Sequence, residues 1–224
     1  IIYIKYEILE LIILLYYGGI SGLKKTVAGM HTPFIYPAPK SFFDRLHNVV
    51  YGSCINMRIL SSLKKVHVLN KKDYAVMTQI YKMKNVVYVP NSIEDKPGSI
   101  QERNNNNTLA ILFIGELSKR KGIDILLQLM KIAPQSYVFT IAGDGPMKEE
   151  IQKVSKAREN CLYKGFVSKN EIDTVYREND ILLLPSRAES MSLAVLEALS
   201  YGLIIVDSKE VSLRLGRNIE YSCN

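Results

Sequence analysis

Short apolar runs alternate with stretches of helical periodicity from the start of the chain. In the first part, the apolar runs predict strands over residues 1–4, 26–30, 66–69 and 86–89. The segments between them predict a helix over 7–17 and another within 41–63. Strands that alternate with helices are typical of a parallel sheet with crossover helices, so the pattern predicts an α/β fold.

The alternation resumes after residue 108. Strands are predicted over 109–114, 137–142, a short stretch near 162, 181–184 and 203–206. Helices are predicted over 123–132, from 147 onward and over 192–201. Ser168 and Glu171 form the S-x-x-E pattern of a capping box, which predicts a further helix toward Arg177.

A polar segment separates the two parts. Residues 91–107, NSIEDKPGSIQERNNNN, are rich in Asn, charge, Pro and Gly and have no apolar periodicity, so they predict a solvated linker. We therefore expect an N-terminal domain over 1–92, a linker over 93–107 and a C-terminal domain over 108–224.

Charge is distributed unevenly in a chain of otherwise ordinary globular composition, 47% hydrophobic and 23% charged. Residues 1–92 carry twelve Lys and Arg against four Asp and Glu, whereas the remainder carries seventeen against eighteen. The excess predicts an anionic partner for the first part, a phosphate-bearing acceptor or an anionic membrane surface, unless these lysines are simply solvated. Basic and aromatic residues do not interleave along one element, so nucleic acid is not an expected partner.

Cysteine usage favours a reducing compartment, because Cys54, Cys161 and Cys223 show neither metal-ligand spacing nor a disulfide framework. We expect a cytoplasmic protein, with peripheral contact at the inner membrane face as an open alternative. The apolar N-terminal run is interrupted by Lys5, Glu7 and Glu10 and is too short to cross a bilayer, and acidic residues argue against a signal peptide. The chain begins with Ile rather than Met, so we expect a segment to precede it.

Two carboxylates mark the most informative stretch, residues 181–206. Glu189 precedes the predicted helix over 192–201, and Glu197 lies inside it among apolar neighbours. A buried carboxylate needs a partner. Two adjacent hydroxyls of a sugar or ribose would satisfy it, because a carboxylate has two acceptor oxygens and no donor.

Four turns follow predicted strands, where parallel-sheet proteins place their chemistry. They are GELSKRKG at 115–122, GDGP at 143–146, GFV at 165–167 and PSRAES at 185–190. Glycine lets backbone approach a ligand, and a following helix N-terminus favours phosphate. Each turn alone is more often only a turn, and a KRK run is more often a solvated loop. Together they indicate a phosphate-bearing ligand.

The order and spacing of these turns resemble the C-terminal domain of retaining family 4 glycosyltransferases, which have the GT-B fold. That family's pattern is G-x-L-x-x-x-K-G, then G-x-G-P, G-F/Y-V and P-S-x-x-E-x7-E. The matching residues are Gly115, Leu117, Lys121, Gly122, Gly143, Gly145, Pro146, Gly165, Phe166, Val167, Pro185, Ser186, Glu189 and Glu197. In the first part, VPNSIE at 89–94 and MHTP at 30–33 are similar to the family's interdomain exit and its strand-end H-x-P turn.

The resemblance implies two Rossmann-like parallel-sheet domains that face a cleft, and a nucleotide sugar as the donor. Lys121 and the backbone N–H groups of Met191–Leu193, next to Ser190 and Ser192, would then contact the donor diphosphate. Glu197 would hold the ribose hydroxyls and Glu189 the transferred sugar.

The same resemblance gives roles to the remaining positions. Gly115 and Gly143 would line the donor site, Phe166 and Val167 would border the base, and His31 would face the sugar from the other domain. The acceptor would be a glycan, a lipid-linked sugar or a protein. No cofactor or metal is expected, because no Asp-x-Asp or cluster of His and carboxylates is placed to hold one. Glu189 could instead be an acid favoured at a helix N-terminus, and His31 could be structural.

The chain also departs from the family pattern. Glu116 stands where the family often has Arg, and Ser190, Met191 and Ser192 replace its frequent G-F-G. If residues 1–4 match a middle strand of the N-terminal domain, we expect that domain to be incomplete, and we expect the family's C-terminal closing helix to be missing as well.

Retaining glycosyl transfer from a nucleotide-diphosphate sugar to an acceptor hydroxyl is therefore the leading hypothesis. Spacing alone assigns neither Glu189 nor Glu197 as a nucleophile. A catalytically silent remnant that binds a sugar nucleotide or a protein partner is the alternative. A dinucleotide-binding protein is disfavoured, because no G-x-G-x-x-G opens a helix with an acidic residue about twenty positions later.

Overall fold

The computed structural model describes residues 2–6, 8–31, 34–36, 42–94 and 108–208. These residues form two compact units. Unit 1 contains the described residues of Ile1–Asn91 together with Glu189–Met191, and unit 2 those of Ser92–Ala188 and Ser192–Ser212. The predicted linker over 93–107 lies outside the described residues except for its first two positions, so it stays a prediction.

Unit 1 contains one parallel sheet with the order β1-β2-β3-β4. Its elements are β1 (Ile2–Lys5), α1 (Ile8–Leu23), β2 (Thr26–Met30), α2 (Phe42–Tyr51), α3 (Cys54–Ser62), β3 (Lys65–Val68), α4 (Lys71–Ala75), a π-helical turn (Val76–Ile80) and β4 (Val86–Tyr88). The four predicted strands are confirmed to within one residue at each end, apart from residue 1, which is not described. The helix predicted over 7–17 continues to Leu23, because the glycines near its end interrupt it only by a kink at Gly19.

The single helix expected within 41–63 is two helices. Gly52 and Ser53 separate them, and the side chain of Ser53 caps α3 by accepting a hydrogen bond from the backbone N–H of Asn56 at 3.2 Å. The core of unit 1 lies between the sheet and its helices. Its buried apolar side chains are Tyr6, Leu23, Ala28, Met30, Phe34, Met57, Leu60, Leu63, Val66, Val68, Met77, Met83 and Val86.

Unit 2 contains a five-stranded parallel sheet with the order β7-β6-β5-β8-β9. Its elements are β5 (Leu109–Ile114), α5 (Ile123–Ile132), β6 (Tyr137–Ala142), α6 (Lys148–Ala157), β7 (Cys161–Gly165), α7 (Ile172–Arg177), β8 (Ile181–Leu184), α8 (Leu193–Ser200) and β9 (Ile204–Asp207). The predictions for β5, α5, β6 and β8 are confirmed to the residue. The expected α/β class with parallel sheets is thus confirmed.

Two predictions for unit 2 need correction. The strand expected over 203–206 is β9 and begins one residue later, and it lies at the edge of the sheet, where Ile204 and Val206 are exposed. At the predicted capping box, Ser168 donates its backbone N–H and its hydroxyl to the Glu171 carboxylate at 3.1 and 2.6 Å. The Glu171 carboxylate thus accepts from the backbone N–H of Ser168, as in a capping box. The Ser168 hydroxyl, however, donates to that carboxylate instead of accepting from a backbone N–H, and α7 begins only at Ile172.

The strand order of unit 2 contains a topological switch point. The chain runs outward from β5 through β6 to β7 and then returns to place β8 on the other side of β5. The connections that leave β5 and β8 therefore diverge to opposite sides. Ligands of open α/β sheets bind in the crevice at the carboxyl ends of two such strands.

Within the part of the chain that the structure describes, no helix is both long enough and apolar enough to cross a bilayer.

Candidate functional site

The turns that follow β5, β6 and β7 form one hydrogen-bonded layer at the carboxyl edge of the sheet. Gly115 N–H donates to the carbonyl of Ala142 at 3.0 Å, and Gly143 N–H donates to the carbonyl of Gly165 at 2.7 Å. Leu117 N–H donates to the carbonyl of Asp144 at 2.8 Å. Three of the four predicted turns are therefore bonded to one another.

Gly143 and Gly122 are required by the close packing of the turns at this edge. A Cβ at Gly143 would lie 1.8 Å from the carbonyl oxygen of Gly115, and one at Gly122 would lie 2.2 Å from the carbonyl oxygen of Pro185. Both residues also have positive φ, 140° and 81°. Gly122 thus brings the turn after β8 against the turn after β5. Among the described residues, no atom beyond its two chain neighbours lies within 4 Å of the Cβ position of Gly115.

An arginine that the sequence analysis missed connects the two turns at the switch point. Arg187 N–H donates to the carbonyl of Arg120 at 2.8 Å, and its guanidinium donates to both carboxylate oxygens of Asp124 at 2.7 and 2.6 Å and also to the carbonyl of Lys119. The Arg187 guanidinium holds the pKa of Asp124 below its usual range. The PSRAES motif contains Arg187, but nothing in the sequence marks Asp124 as its partner.

The turn after β5 carries both signs of charge. The Glu116 carboxylate accepts hydrogen bonds from Arg120 at 2.9 Å and from Ser118 at 3.2 Å. The Arg120 hydrogen bond, followed by the charges of Arg120 and Lys121, keeps the pKa of Glu116 below its usual range. Residues 115–122 carry three basic side chains, Lys119, Arg120 and Lys121, against the single acid Glu116, so the turn has a net formal charge of +2.

Glu197 lies on α8 with a partner from its own unit. The buried Tyr176 hydroxyl donates to Glu197 Oε2 at 2.7 Å, and the Tyr176 ring stacks on Tyr201 with 5.2 Å between centroids. Burial, followed by the bond to Glu197, raises the pKa of Tyr176. Tyr176 comes from α7, twenty-one residues earlier, and no sequence motif connects it with Glu197.

The expected enclosure of Glu197 by apolar side chains is wrong. Glu197 is half-buried, and the neighbouring Leu193 and Leu199 are exposed. The physical reason is that α8 packs along one face only, where Val195 and Ala198 are buried. One oxygen of Glu197 is bonded to Tyr176, so an added ligand is not required to satisfy the carboxylate, although it retains acceptor capacity.

The N-terminus of α8 follows the turn after β8. The helix begins at Leu193, and its N-cap residue Ser192 is buried but makes no side-chain hydrogen bond to the helix. The backbone N–H groups of the first turn are thus not capped by Ser192. These groups carry the positive end of the helix dipole.

The turn that was expected to border a base lies at the end of β7. Phe166 is 83% exposed, and Val167 is half-buried. Both line an open depression of about 490 Å³ between β7 and α7. The other residues that line it are Leu162, Tyr163, Lys164, Asn170, Glu171, Thr174 and Val175.

His31 belongs to unit 1, where it follows β2. Tyr3 Oη lies 3.1 Å from His31 Nε2 and 3.3 Å from His67 Nδ1, and His67 Nε2 lies 2.7 Å from the carbonyl oxygen of Val89. The carbonyl can only accept, so for neutral rings His67 Nε2–H donates to it, Tyr3 O–H donates to His67 Nδ1, and His31 Nε2–H donates to Tyr3. Burial and the nearby His67 and Lys5 lower the pKa of His31, which favours the neutral ring. Thr32 and Pro33 of the H-x-P turn lie outside the described residues.

The segment Glu189–Met191 is grouped with unit 1. Glu189 and Ser190 are buried, and Met191 is half-buried. Ser190 accepts hydrogen bonds from Asn70 through its hydroxyl and its carbonyl, both at 3.3 Å. Of the predicted site residues, unit 2 brings Gly115, Lys121, Gly143, Ser192 and Leu193 to the carboxyl edge of its own sheet.

No cluster of three or more His, Cys, Asp or Glu side chains suited to a metal occurs within the described ranges. The expectation of a metal-independent site stays a prediction.

Comparisons with known proteins give the fold and the family. Residues 95–214 match the family described as glycosyl transferases group 1. A relative from Klebsiella pneumoniae, an uncharacterized 41.2 kDa protein in the cps region, is 38% identical over 135 residues, which cover 57% of this chain and 37% of the relative. The chain spans 19–42% of the length of this and two further curated relatives.

Two solved structures are similar in fold. The pneumococcal O-GlcNAc transferase GtfA, in complex with UDP and GlcNAc, gives a TM-score of 0.65 at 16% identity and covers 85% of this chain and 39% of its own. Anabaena Alr3699/HepE, in complex with UDP-glucose, gives a TM-score of 0.62 at 18% identity, and the match covers 86% of this chain and 55% of the Anabaena chain. With two parallel sheets, these likenesses show a GT-B type α/β fold. The chain belongs to the glycosyl transferases group 1 family.

Proposed function

We propose that the protein transfers a sugar from a nucleotide-diphosphate sugar to an acceptor hydroxyl, with retention of anomeric configuration as the family 4 resemblance implies. One observation carries the donor part of this proposal. The turns after β5 and β8 are bonded together at the switch point of unit 2, and they bring Lys121 and the N-terminus of α8 to the same edge of the sheet.

The diphosphate would bind at this edge. The N–H groups of the first turn of α8 and the ammonium of Lys121 would neutralise the charge that grows on the leaving nucleotide diphosphate. The N–H groups of α8 are fixed by the helix before the ligand arrives, so they cost little reorganisation in the transition state. This arrangement would supply the charge that a metal ion supplies in other transferases.

The remaining roles follow from the motif positions. Glu197 would accept from the ribose hydroxyls with the acceptor capacity that Tyr176 leaves, and Tyr176 would fix the carboxylate for that purpose. Glu189 and His31 would contact the transferred sugar, and Phe166 and Val167 would border the base. The acceptor would be a glycan, a lipid-linked sugar or a protein.

Binding of UDP tests the donor site first, because both structural neighbours are described as complexes with UDP or a UDP-sugar. At about one hundred times the Kd, UDP should stabilise the chain by about 2.7 kcal/mol. For a chain of this size, that corresponds to a rise in Tm of about 5–10 °C. Calorimetry would fix the Kd, and GDP in parallel would report on the base.

Two variants and one control locate the binding. Lys121→Ala and Glu197→Ala should each remove most of the rise in Tm. Lys131→Ala should keep it, because Lys131 lies in the last turn of α5, whereas Lys121 directly precedes that helix. Retention of the full rise in both site variants would refute the assignment.

A silent binding protein is the second candidate, and one observation favours it. The Glu116 carboxylate pairs with Arg120 at the position where the family often has a second cation, so the attraction for a diphosphate is reduced. Incubation with UDP-sugars and measurement of free UDP would separate the two. UDP binding without any release of UDP from a sugar donor would support the silent protein.

A further inference from the structure

The face that α2 turns to solvent is apolar. Phe42, Phe43, Leu46 and Val49 are 74%, 77%, 46% and 70% exposed, and Arg45 is exposed among them. At 100° per residue, Phe42, Leu46 and Val49 lie within about 60° of one another on the helix, and Phe43 and Arg45 flank them. We call these five residues the α2 face.

The opposite side of α2 is polar and is held by the protein. The Asn48 side chain accepts from the backbone N–H of Tyr36 at 2.8 Å and donates to its carbonyl at 2.9 Å. The His47 ring lies 4.7 Å from the Tyr36 ring between centroids, in a tilted contact. These contacts fix the rotation of the helix, so the apolar side points outward because the polar side is bonded inward.

This orientation is the reverse of that expected for a helix on a globular protein. Such a helix normally turns its apolar stripe to the core and its polar side to water. An outward apolar face with aromatic side chains and a basic residue is instead typical of a helix that lies in the interface of a membrane. The exposed aromatic residues are therefore better explained by a partner than by the core of unit 1.

Charge identifies the kind of partner. Residues 1–92 carry twelve Lys and Arg against four Asp and Glu, and Arg45 lies on the α2 face itself. Anionic lipid headgroups attract a unit with such an excess of positive charge. A second copy is disfavoured, because a symmetric dimer through the α2 face would place the two Arg45 side chains near each other.

We propose that the α2 face docks on an anionic phospholipid bilayer, with Phe42 and Phe43 inserted at the headgroup boundary and Arg45 at the lipid phosphates. Docking of the α2 face would involve unit 1 and requires no nucleotide, so it is independent of the proposed donor site.

The test is sedimentation of the 224-residue chain with vesicles of phosphatidylcholine alone or with vesicles in which about one lipid in three is phosphatidylglycerol. Phe42→Ser/Phe43→Ser should weaken binding to the anionic vesicles at least about tenfold, because the burial of even one such side chain is worth that much. Arg45→Gln should weaken it about fivefold, and added salt should weaken it further.

A matched control comes from α1, which exposes another adjacent aromatic pair. Tyr16 and Tyr17 are 82% and 83% exposed, and α1 contains no Lys or Arg. Tyr16→Ser/Tyr17→Ser should leave vesicle binding unchanged, and circular dichroism should show that both double variants stay folded, since all four side chains are solvent-exposed.

Three outcomes would overturn the proposal. In the first, the Phe42/Phe43 variant binds anionic vesicles as tightly as the unchanged chain. In the second, the Tyr16/Tyr17 variant loses as much vesicle binding as the Phe42/Phe43 variant. In the third, analytical ultracentrifugation shows a concentration-dependent dimer that only the Phe42/Phe43 variant abolishes. Binding that is equal on neutral and anionic vesicles would refute the part assigned to Arg45 and charge.

Discussion

Gly143 and Gly115 provide a sharp test of how the turns at the carboxyl edge of unit 2 are packed. Both have a backbone conformation that L-residues rarely adopt, with φ of 140° and 145°. A Cβ at Gly143 would lie 1.8 Å from the carbonyl oxygen of Gly115, whereas a Cβ at Gly115 would meet no atom of the part of the chain that the structure describes within 4 Å, its two chain neighbours aside. Alanine at the two positions should therefore cause similar backbone strain, and only Gly143→Ala should also cause overlap.

The expected magnitudes differ accordingly. Backbone strain of this kind costs about 1–3 kcal/mol, which is the expected loss for Gly115→Ala. A contact at 1.8 Å is about 1.5 Å shorter than an ordinary C···O approach. The obstructing atom belongs to backbone, and Gly115 is held there by its bond to Ala142, so no side chain can rotate away. Overpacking should add at least about 2 kcal/mol for Gly143→Ala.

Urea unfolding measures this difference. With a slope of about 2 kcal/mol per molar urea, the midpoint of Gly143→Ala should lie about 1 M below that of Gly115→Ala. Hydrogen exchange of the peptides that contain β5 and β6 would assign the loss to unit 2. Free energies of unfolding that agree within about 0.5 kcal/mol would refute the packing argument, because they would mean that the turns separate without cost.

Two further predictions concern side chains that the sequence did not reveal. Tyr176→Phe should lower the free energy of unfolding by about 1.5–2 kcal/mol, because the Tyr176 hydroxyl donates to a carboxylate at 2.7 Å. Tyr163→Phe is the control and should cost about 1 kcal/mol or less, because the Tyr163 hydroxyl donates to the neutral carbonyl of Gly143 at 3.0 Å. Equal losses of the two variants in urea unfolding would contradict the stronger, charged hydrogen bond. Asp124→Asn should cost about 1 kcal/mol at pH 7, since the paired side chains are about one-third exposed. The folded-state pKa of Asp124 is lowered, so its contribution is present above the unfolded pKa of about 3.9 and is lost as pH falls through the lower folded pKa. The free energies of unfolding of the variant and the unchanged chain should therefore approach each other as the pH falls below about 3.9, and a gap that stays constant as the pH falls would contradict the ion pair.

The sequence predicted the elements of unit 2 well, because local pattern determines them. β5, α5, β6 and β8 follow from apolar runs bounded by Gly or Pro, and the structure agrees to the residue. The position of β8 beside β5 is different. It depends on which strand edges pair after the whole unit folds, and no local signal carries that information.

For the candidate site too, the sequence predicted the local motifs but not the contacts between distant residues. Glycines and Lys121 stand in motifs with fixed spacing, whereas Arg187 with Asp124 and Tyr176 with Glu197 are pairs separated by 63 and 21 positions. Pattern alone also misplaced the apolar environment of Glu197, because an eight-residue helix buries only one side. The same limit explains α2, since periodicity locates an apolar face but does not say whether core or solvent receives it.

The pairing of β5 with β8 has a consequence for the order of folding. Ala110 N–H donates to the carboxylate of Asp180, seventy positions later, so this edge of the sheet closes a long loop and should form late. A chain that has folded only as far as β7 has the turn after β5 but not the turn after β8. If the proposed donor site is correct, affinity for UDP should thus develop late in refolding and report the completed unit rather than its parts.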